Sequence, residues 1–136
     1  MRLREGHDLE LKEYTFNRSD VIPKTIHIPS APVILLEGIY ALHHPELNNL
    51  IDLKVYIDAD EHHRRQRRIQ RDAVERGYDQ DDVLYRLSQH HQPAFEQYIL
   101  PHRSKADLVI PNNHHFEKGL EMLGHFLKSK AQERMA

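Results

Sequence analysis

Three short apolar runs constrain the fold of this chain more than any other feature of its sequence. They occupy residues 33–36, 53–57 and 106–110, and turn-forming or acidic residues follow each of them. Continuous apolar runs of this length, rich in β-branched residues, are typical of strands buried in a parallel sheet. A weaker alternation of polar and apolar residues predicts a further strand over residues 25–28.

Helical patterns fill the intervals between these runs. Residues 61–76 are rich in helix-forming residues, and Gly77 is placed to end that helix. A second helix is predicted to begin near Asp81 and to end or kink at Pro93. An amphipathic pattern predicts a last helix from about residue 116 to 131. Strands that alternate with helices in this way predict a layered α/β architecture.

Composition excludes several classes of protein. The 136 residues include no cysteine, so disulfide scaffolds and cysteine-ligated metal sites are excluded. A formal net charge of −2 gives no support to a general affinity for nucleic acid or for an anionic membrane. No apolar run approaches the roughly 18 residues that span a bilayer. Because the first residues also lack the apolar core of a signal peptide, we expect a cytoplasmic protein. Whether it forms a homo-oligomer stays open.

Acidic residues close two of the apolar runs. Glu37 follows the first run, and Asp58 and Asp60 follow the second. Ligands of open parallel sheets bind at the carboxyl ends of the strands, where these side chains are expected to lie. Carboxylate oxygens are ligands that Mg²⁺ prefers. A carboxylate at the same position also caps a following helix, so both interpretations remain open.

The predicted helix over residues 61–76 is dense in arginine. On a helix, Arg64, Arg68 and Arg71 share one face. Guanidinium groups bind phosphate oxygens in bidentate fashion, so this face is suited to holding the polyphosphate of a nucleotide. Gly77 would let the segment bend as a lid. A solvated charged face and a helix that binds a nucleic-acid backbone are the alternatives, and the acidic remainder of the chain disfavours the second.

Two familiar catalytic patterns are missing from these 136 residues. No stretch reads Gly-x-x-x-x-Gly-Lys-[Ser/Thr], and with only five glycines no other glycine-rich phosphate loop is present. Twelve histidines occur, several as adjacent pairs, but His-Glu-x-x-His spacing is absent. We therefore interpret the histidines as surface residues.

Four stretches, taken together, resemble the uridine kinase (uridine–cytidine kinase) family, within the uridine kinase/phosphoribulokinase group of P-loop kinases. They are the Tyr-Thr-Phe of residues 14–16, the strand ending in Glu-Gly-Ile at residues 33–39, the Arg-Arg-Ile-Gln-Arg-Asp-Ala-Val-Glu-Arg-Gly of residues 67–77, and the Pro-Ala-Phe to Ala-Asp-Leu-Val-Ile-Pro region of residues 93–111. The order and the spacing of these motifs are both kept over nearly the whole chain.

The resemblance implies a fold and a reaction. The fold is α/β, a parallel-sheet, P-loop nucleoside-kinase-like layered fold without its first strand and phosphate loop. Residues 1–136 would form a single domain, with the lid at about residues 61–80. The reaction is phosphoryl transfer from ATP, with Mg²⁺, to a hydroxyl of a nucleoside-like small molecule. Such a protein is a kinase, a transferase with an alcohol group as acceptor, and its partners are ATP and that acceptor rather than nucleic acid or a membrane.

The same resemblance implies roles for six side chains that contact substrates or metal. The metal ligand is Glu37, the catalytic lid residues that reach phosphate are Arg68 and Arg71, and the substrate-binding residues are Tyr14, Phe16 and Arg76.

The chain also departs from the family pattern. Ser19 stands where the family has histidine, Tyr78 where it has arginine, and Arg86 where it has glutamine. These positions leave the identity of the acceptor open. Because the phosphate loop would lie before Met1, we expect these 136 residues alone to be inactive. The alternative is a non-catalytic, nucleotide-binding or regulatory relative of the kinase.

Overall fold

The computed structural model describes residues 2–15, 21–77 and 79–135, with the side chains of residues 75, 76 and 135 outside the description. The chain divides into two compact units. One comprises residues 1–36 together with residues 124–136, and the other comprises residues 37–123. The single domain expected for residues 1–136 stays a prediction.

The first unit is built on an antiparallel strand pair. Strand β1 (Leu9–Lys12) pairs with strand β2 (Thr25–Ile28), and Leu9 lies opposite Ile28. The backbone N–H of Ser30 donates to Asp8 Oδ1 at 2.8 Å, which fixes the chain as it leaves β2. The strand predicted over residues 25–28 is therefore confirmed, whereas its partner β1 was not predicted from the sequence.

The strand predicted over residues 33–36 is wrong. This segment has no regular secondary structure, and 78% of Leu35 is exposed. A β-strand is stabilised by backbone hydrogen bonds to a neighbouring strand. Within the described ranges no strand pairs with residues 33–36, so an apolar run alone does not make these residues a buried strand.

The second unit contains the parallel pair that the other two apolar runs predict. Strand β3 (Val55–Asp58) pairs in parallel with strand β4 (Leu108–Pro111), and Val55 lies opposite Leu108. Asp107 fixes this register from just before β4. Its Oδ2 accepts from the backbone N–H of Lys54 at 2.7 Å, and its own N–H donates to the Lys54 carbonyl at 2.9 Å.

Helices account for most of the remaining structure. They are α1 (Pro45–Asn48), α2 (Glu61–Arg76), α3 (Gln80–Arg86), α4 (Gln92–Tyr98) and α5 (Glu117–Met135), with short 3₁₀ segments at Arg2–Glu5 and Leu100–Lys105. Local signals explain both ends of α2. The Asp60 side chain caps its first turn, and Gly77 ends it in the left-handed conformation at φ 63°. The predicted bounds of this helix are confirmed.

A π-helical turn, Leu87–His91, joins α3 to α4. Pro93 stands in the first turn of α4, where its missing N–H removes no helical hydrogen bond. The interruption expected at Pro93 is therefore present as a change of helix type immediately before it.

The buried apolar side chains of the described residues belong to the second unit. They are Tyr56 on β3, Ile110 on β4 and Val83 on α3. Helix α5 approaches β4 closely at Gly119, where an added Cβ would lie 3.0 Å from Ile110 Cγ2. No helix in the described part of the chain is both long and apolar enough to cross a bilayer.

Candidate functional site

Helix α2 is fixed to the carboxyl end of the parallel strand pair at its N-terminal half. The Arg67 guanidinium donates to two consecutive backbone carbonyls, Asn112 O at 2.7 Å and Asn113 O at 2.9 Å. The side-chain oxygen of Asn113 accepts from the Asp60 N–H at 2.9 Å. These bonds hold the arginine-rich helix against the residues that follow β4.

The two aspartates that close β3 make structural contacts. Asp58 Oδ2 accepts from Arg103 Nε at 2.8 Å. Asp60 Oδ1 accepts from the backbone N–H of His63 at 2.9 Å and contacts His63 Nδ1 at 2.7 Å. The hydrogen bonds from His63 lower the pKa of the Asp60 carboxyl from its usual value. The helix-capping interpretation is thus confirmed for Asp60.

The structure brings Arg68 and Arg71 together on one buried carboxylate. Asp72 Oδ2 accepts from Arg68 Nε at 3.1 Å, and Asp72 Oδ1 accepts from Arg71 Nε at 3.3 Å. Only 5% of the Asp72 side chain is exposed, whereas both arginines reach solvent. Arg71 also lines a shallow surface depression on α2. The two arginines therefore form a pair of cationic groups at the surface. Such a pair is suited to binding an anion.

The remaining arginine of the predicted face has a different partner. The Arg64 guanidinium carbon lies 3.5 Å from the centre of the Phe95 ring, a cation–π contact between α2 and α4. The π-helical turn places His91 near the arginine pair. Burial, followed by the positive charge of Arg68, lowers the pKa of His91. The lowered pKa favours the neutral form of His91 beside the pair.

Glu37 lies in the second unit, in an exposed segment without regular structure. A turn follows it, closed by the bond from the Ala41 N–H to the Gly38 carbonyl at 3.0 Å. Within the described ranges, no three His, Asp or Glu side chains are placed to hold a metal ion together. Mg²⁺ in phosphoryl-transfer sites is held by one or two carboxylates with phosphate oxygens and water. The exposed Glu37 carboxylate fits that chemistry as one ligand.

The predicted substrate-binding residues are less fully described. Tyr14 belongs to the first unit and 83% of it is exposed. Phe16 lies outside the described residues, as do Ser19 and Tyr78. Arg76 is the last residue of α2, and its side chain lies outside the description. The roles of all three substrate-binding residues stay predictions.

The contacts of two residues of this site were not predicted from the sequence. The role of Asp72 as the partner of the arginine pair could have been found, because it stands four residues after Arg68 and directly after Arg71 on a helix. The contact from Arg67 to the residues after β4 had no local signal, because its partners lie 45 and 46 positions away.

Comparison with known proteins settles the family. The sequence model of the Phosphoribulokinase / Uridine kinase family matches residues 1–116 of the 136. The chain belongs to this family. Uridine-cytidine kinase B of Dictyostelium discoideum is 33% identical over 132 residues, covering 97% of this chain and 54% of that protein. Uridine kinase of Lactobacillus helveticus (strain DPC 4571) is 36% identical over 121 residues, covering 89% of this chain and 57% of that protein.

A plant relative extends the range of similar proteins. Uridine kinase-like protein 3 of Arabidopsis thaliana is 36% identical over 131 residues, which are 95% of this chain and 28% of that protein. The chain thus spans little more than half of the first two of these three relatives, and less of the third. The mixed α/β structure with its parallel strand pair is consistent with the α/β fold expected for this family.

Proposed function

We propose that this chain is the lid and acceptor side of a kinase that transfers a phosphoryl group from ATP to a hydroxyl of a nucleoside-like molecule. The observation that carries the proposal is the paired guanidinium group of Arg68 and Arg71 on α2, the helix whose sequence resembles the lid of the family. In phosphoryl transfer the protein mainly positions the substrates and stabilises the charge that spreads over the phosphate oxygens. Paired guanidinium groups serve both purposes.

The other residues take the roles that family membership suggests. Glu37 would hold Mg²⁺, which, when bound with ATP, offsets part of the negative charge on the phosphates. Tyr14 and Phe16 would form the walls of the nucleoside pocket, and Arg76 would contact the substrate at the end of the lid. Gly77, which alone in this region adopts a positive φ among described residues, supports a hinge at that point.

These 136 residues contain no phosphate-loop sequence, which favours a second candidate for the chain by itself. Backbone N–H groups of such a loop normally hold the phosphates of ATP and stabilise the transition state. We therefore propose that the chain alone binds nucleotide without transferring phosphate.

One experiment separates the two candidates. The chain is incubated with ATP, Mg²⁺ and a panel of nucleosides, formation of nucleoside monophosphate is followed by chromatography, and nucleotide binding is measured by calorimetry. Binding without product supports the second candidate, and product formed at the rate of ordinary kinases, about 1–100 per second, contradicts it. A folded chain that shows neither binding nor turnover contradicts both.

The test variant carries two substitutions, Arg68→Lys and Arg71→Lys. The control variant carries one, Arg65→Lys. Lysine keeps the positive charge but lacks the planar fork that binds two phosphate oxygens. We expect the paired substitution to weaken ATP binding about tenfold and the control at exposed Arg65 to leave it unchanged.

A further inference from the structure

We propose that Asp72 is a positioning residue, which holds Arg68 and Arg71 in the orientation that binds a polyphosphate chain. The inference rests on the proposed function and adds to it a residue that touches neither substrate nor metal. Asp72 is the one charged side chain that is buried among the described residues. A carboxylate at such a position needs compensation, and the guanidinium groups of Arg68 and Arg71 contribute to it.

The geometry of the two contacts leaves the arginines able to bind a ligand. Both contacts use Nε, so the Nη1–Nη2 edge of each guanidinium takes no part in the bond to Asp72. That edge is one of the two that bind phosphate oxygens in pairs. An arginine that is already held loses less conformational entropy when it binds its ligand. Asp72 therefore prepares both side chains before an anion arrives.

Asp72 also connects the arginine pair to the end of the lid helix. Its backbone carbonyl accepts the N–H of Gly77, the residue that ends α2 in the left-handed conformation. The side chain and the main chain of one residue therefore fix both the arginine pair and the helix end. A change of backbone conformation at Gly77 would therefore act on the residue that contacts both arginines.

Electrostatics alone makes the opposite prediction. Arg68 and Arg71 contact the Asp72 carboxylate, and removal of that carboxylate adds one positive charge to the site. A more positive site binds an anion more tightly if only charge matters. If Asp72 positions the arginines, its removal weakens binding in spite of the added charge. The two mechanisms thus differ in the sign of the effect.

The experiment measures the affinity of the chain for inorganic triphosphate by calorimetry, with Asp72→Asn as the variant. We expect binding to weaken about fivefold or more, since the freed arginines lose their fixed orientation. Asp82→Asn is the control, because Asp82 accepts from Arg86 Nε at 2.9 Å on the exposed surface of α3. The control should leave the affinity unchanged within about twofold, or raise it.

A second measurement keeps the test decisive if Asp72→Asn loses its fold, which circular dichroism and thermal unfolding would reveal. Asp72→Glu keeps the carboxylate and is expected to restore part of the affinity. Arg68→Lys with Arg71→Lys should weaken triphosphate binding to a similar extent. In that background Asp72→Asn should cause no further loss, because its effect passes through the two arginines.

The outcomes separate this inference from the proposed function. If the chain binds triphosphate and Asp72→Asn binds it equally well or more tightly, the positioning role is wrong and the proposed function stands. Additive losses in the double-substitution background also contradict the positioning role. If the folded wild-type chain has no affinity for triphosphate, both the positioning role and the phosphate-binding role of the lid arginines are wrong.

Discussion

At the scale of single residues, one residue type performs three different tasks on helix α2. Arg67 binds backbone carbonyls after β4, Arg64 covers the Phe95 ring, and the arginine pair contacts Asp72. The sequence predicted that three of these arginines share a face, which geometry requires of any helix. It did not predict that Arg64 would contact an aromatic ring, because Phe95 is distant in the chain.

His43 and His102 form a contact in the second unit, and the pKa of His102 is lowered there. His102 Nε2 lies 3.4 Å from His43 Nδ1, and their rings meet edge to face, with Tyr98 against His43. The Nδ1 atom of His102 is buried and has no hydrogen-bond partner among the described residues. A proton there would be buried without an acceptor, so we infer that Nε2 carries the proton and donates to His43. Burial, then the charges of Lys105 and His43, lower the pKa of His102.

We expect the second unit to lose stability as the pH falls below the ordinary histidine pKa of 6.5. In that range the unfolded chain binds a proton that His102 in the folded chain resists, so acid favours unfolding. Above pH 6.5 His102 is neutral in both states and does not reduce the free energy of unfolding. That free energy then falls as the pH declines from 6.5 toward the lowered pKa of His102 in the folded chain. His102→Gln should reduce this dependence, measured as the denaturation midpoint at about pH 7.5 and about pH 5.5.

The control for this prediction is His115→Gln, since the side chain of His115 is almost wholly exposed. His91, whose pKa is also lowered, contributes in the same direction and keeps part of the dependence in the His102 variant. A His102→Gln protein with the same pH dependence as the wild type would show that the pair of His43 and His102 does not govern it.

At the scale of secondary structure, local signals fixed both ends of α2. Asp60 and Gly77 mark the ends of α2 through bonds to residues within one or two turns. The π-helical turn before Pro93 has no such local signal beyond the proline itself. Helix α5 adds a contact that a sequence pattern cannot show, the close approach of Gly119 to Ile110.

Alanine substitutions at two glycines of α5 should have opposite effects on stability. Gly119→Ala gains helix propensity but forces a methyl group to within 3.0 Å of Ile110 Cγ2. Ile110 is buried and β-branched, so it yields little, and we expect a net loss of about 1 kcal/mol in the free energy of unfolding. Gly124→Ala meets no atom within 4 Å. It should gain about 0.5–1 kcal/mol.

Urea denaturation of the two variants measures both free energies on one helix. Equal stabilisation by both alanines would mean that Ile110 moves aside at no cost and that α5 does not pack closely on β4.

At the scale of the whole molecule, two of the three apolar runs contribute to the buried apolar side chains and one does not. Two runs supply β3 and β4, which contribute Tyr56 and Ile110 to the buried set. The first run, residues 33–36, is largely exposed in the described structure. The apolar composition of a segment determines how much free energy its burial would gain. Burial also requires other side chains that pack against the segment.

Substitutions in two of these runs test where the core lies. Ile110 is 4% exposed, and Ile110→Ala should lower the free energy of unfolding by about 2–3 kcal/mol through lost burial and a cavity. Leu35 is 78% exposed, and Leu35→Ala should change the free energy of unfolding by less than about 0.5 kcal/mol. Chemical denaturation of both variants measures the difference. A large loss for Leu35→Ala would mean that residues 33–36 are buried in solution.

The sequence by itself determined the family, two strands of the parallel pair and the ends of the arginine-rich helix. These features depend on neighbouring residues, because caps, turns and helical bonds join positions a few residues apart. Only the tertiary structure decided which partner each arginine takes and which apolar run is buried. Arg67 meets a carbonyl 45 positions away, and such a contact exists only after the strands and the helix have packed together.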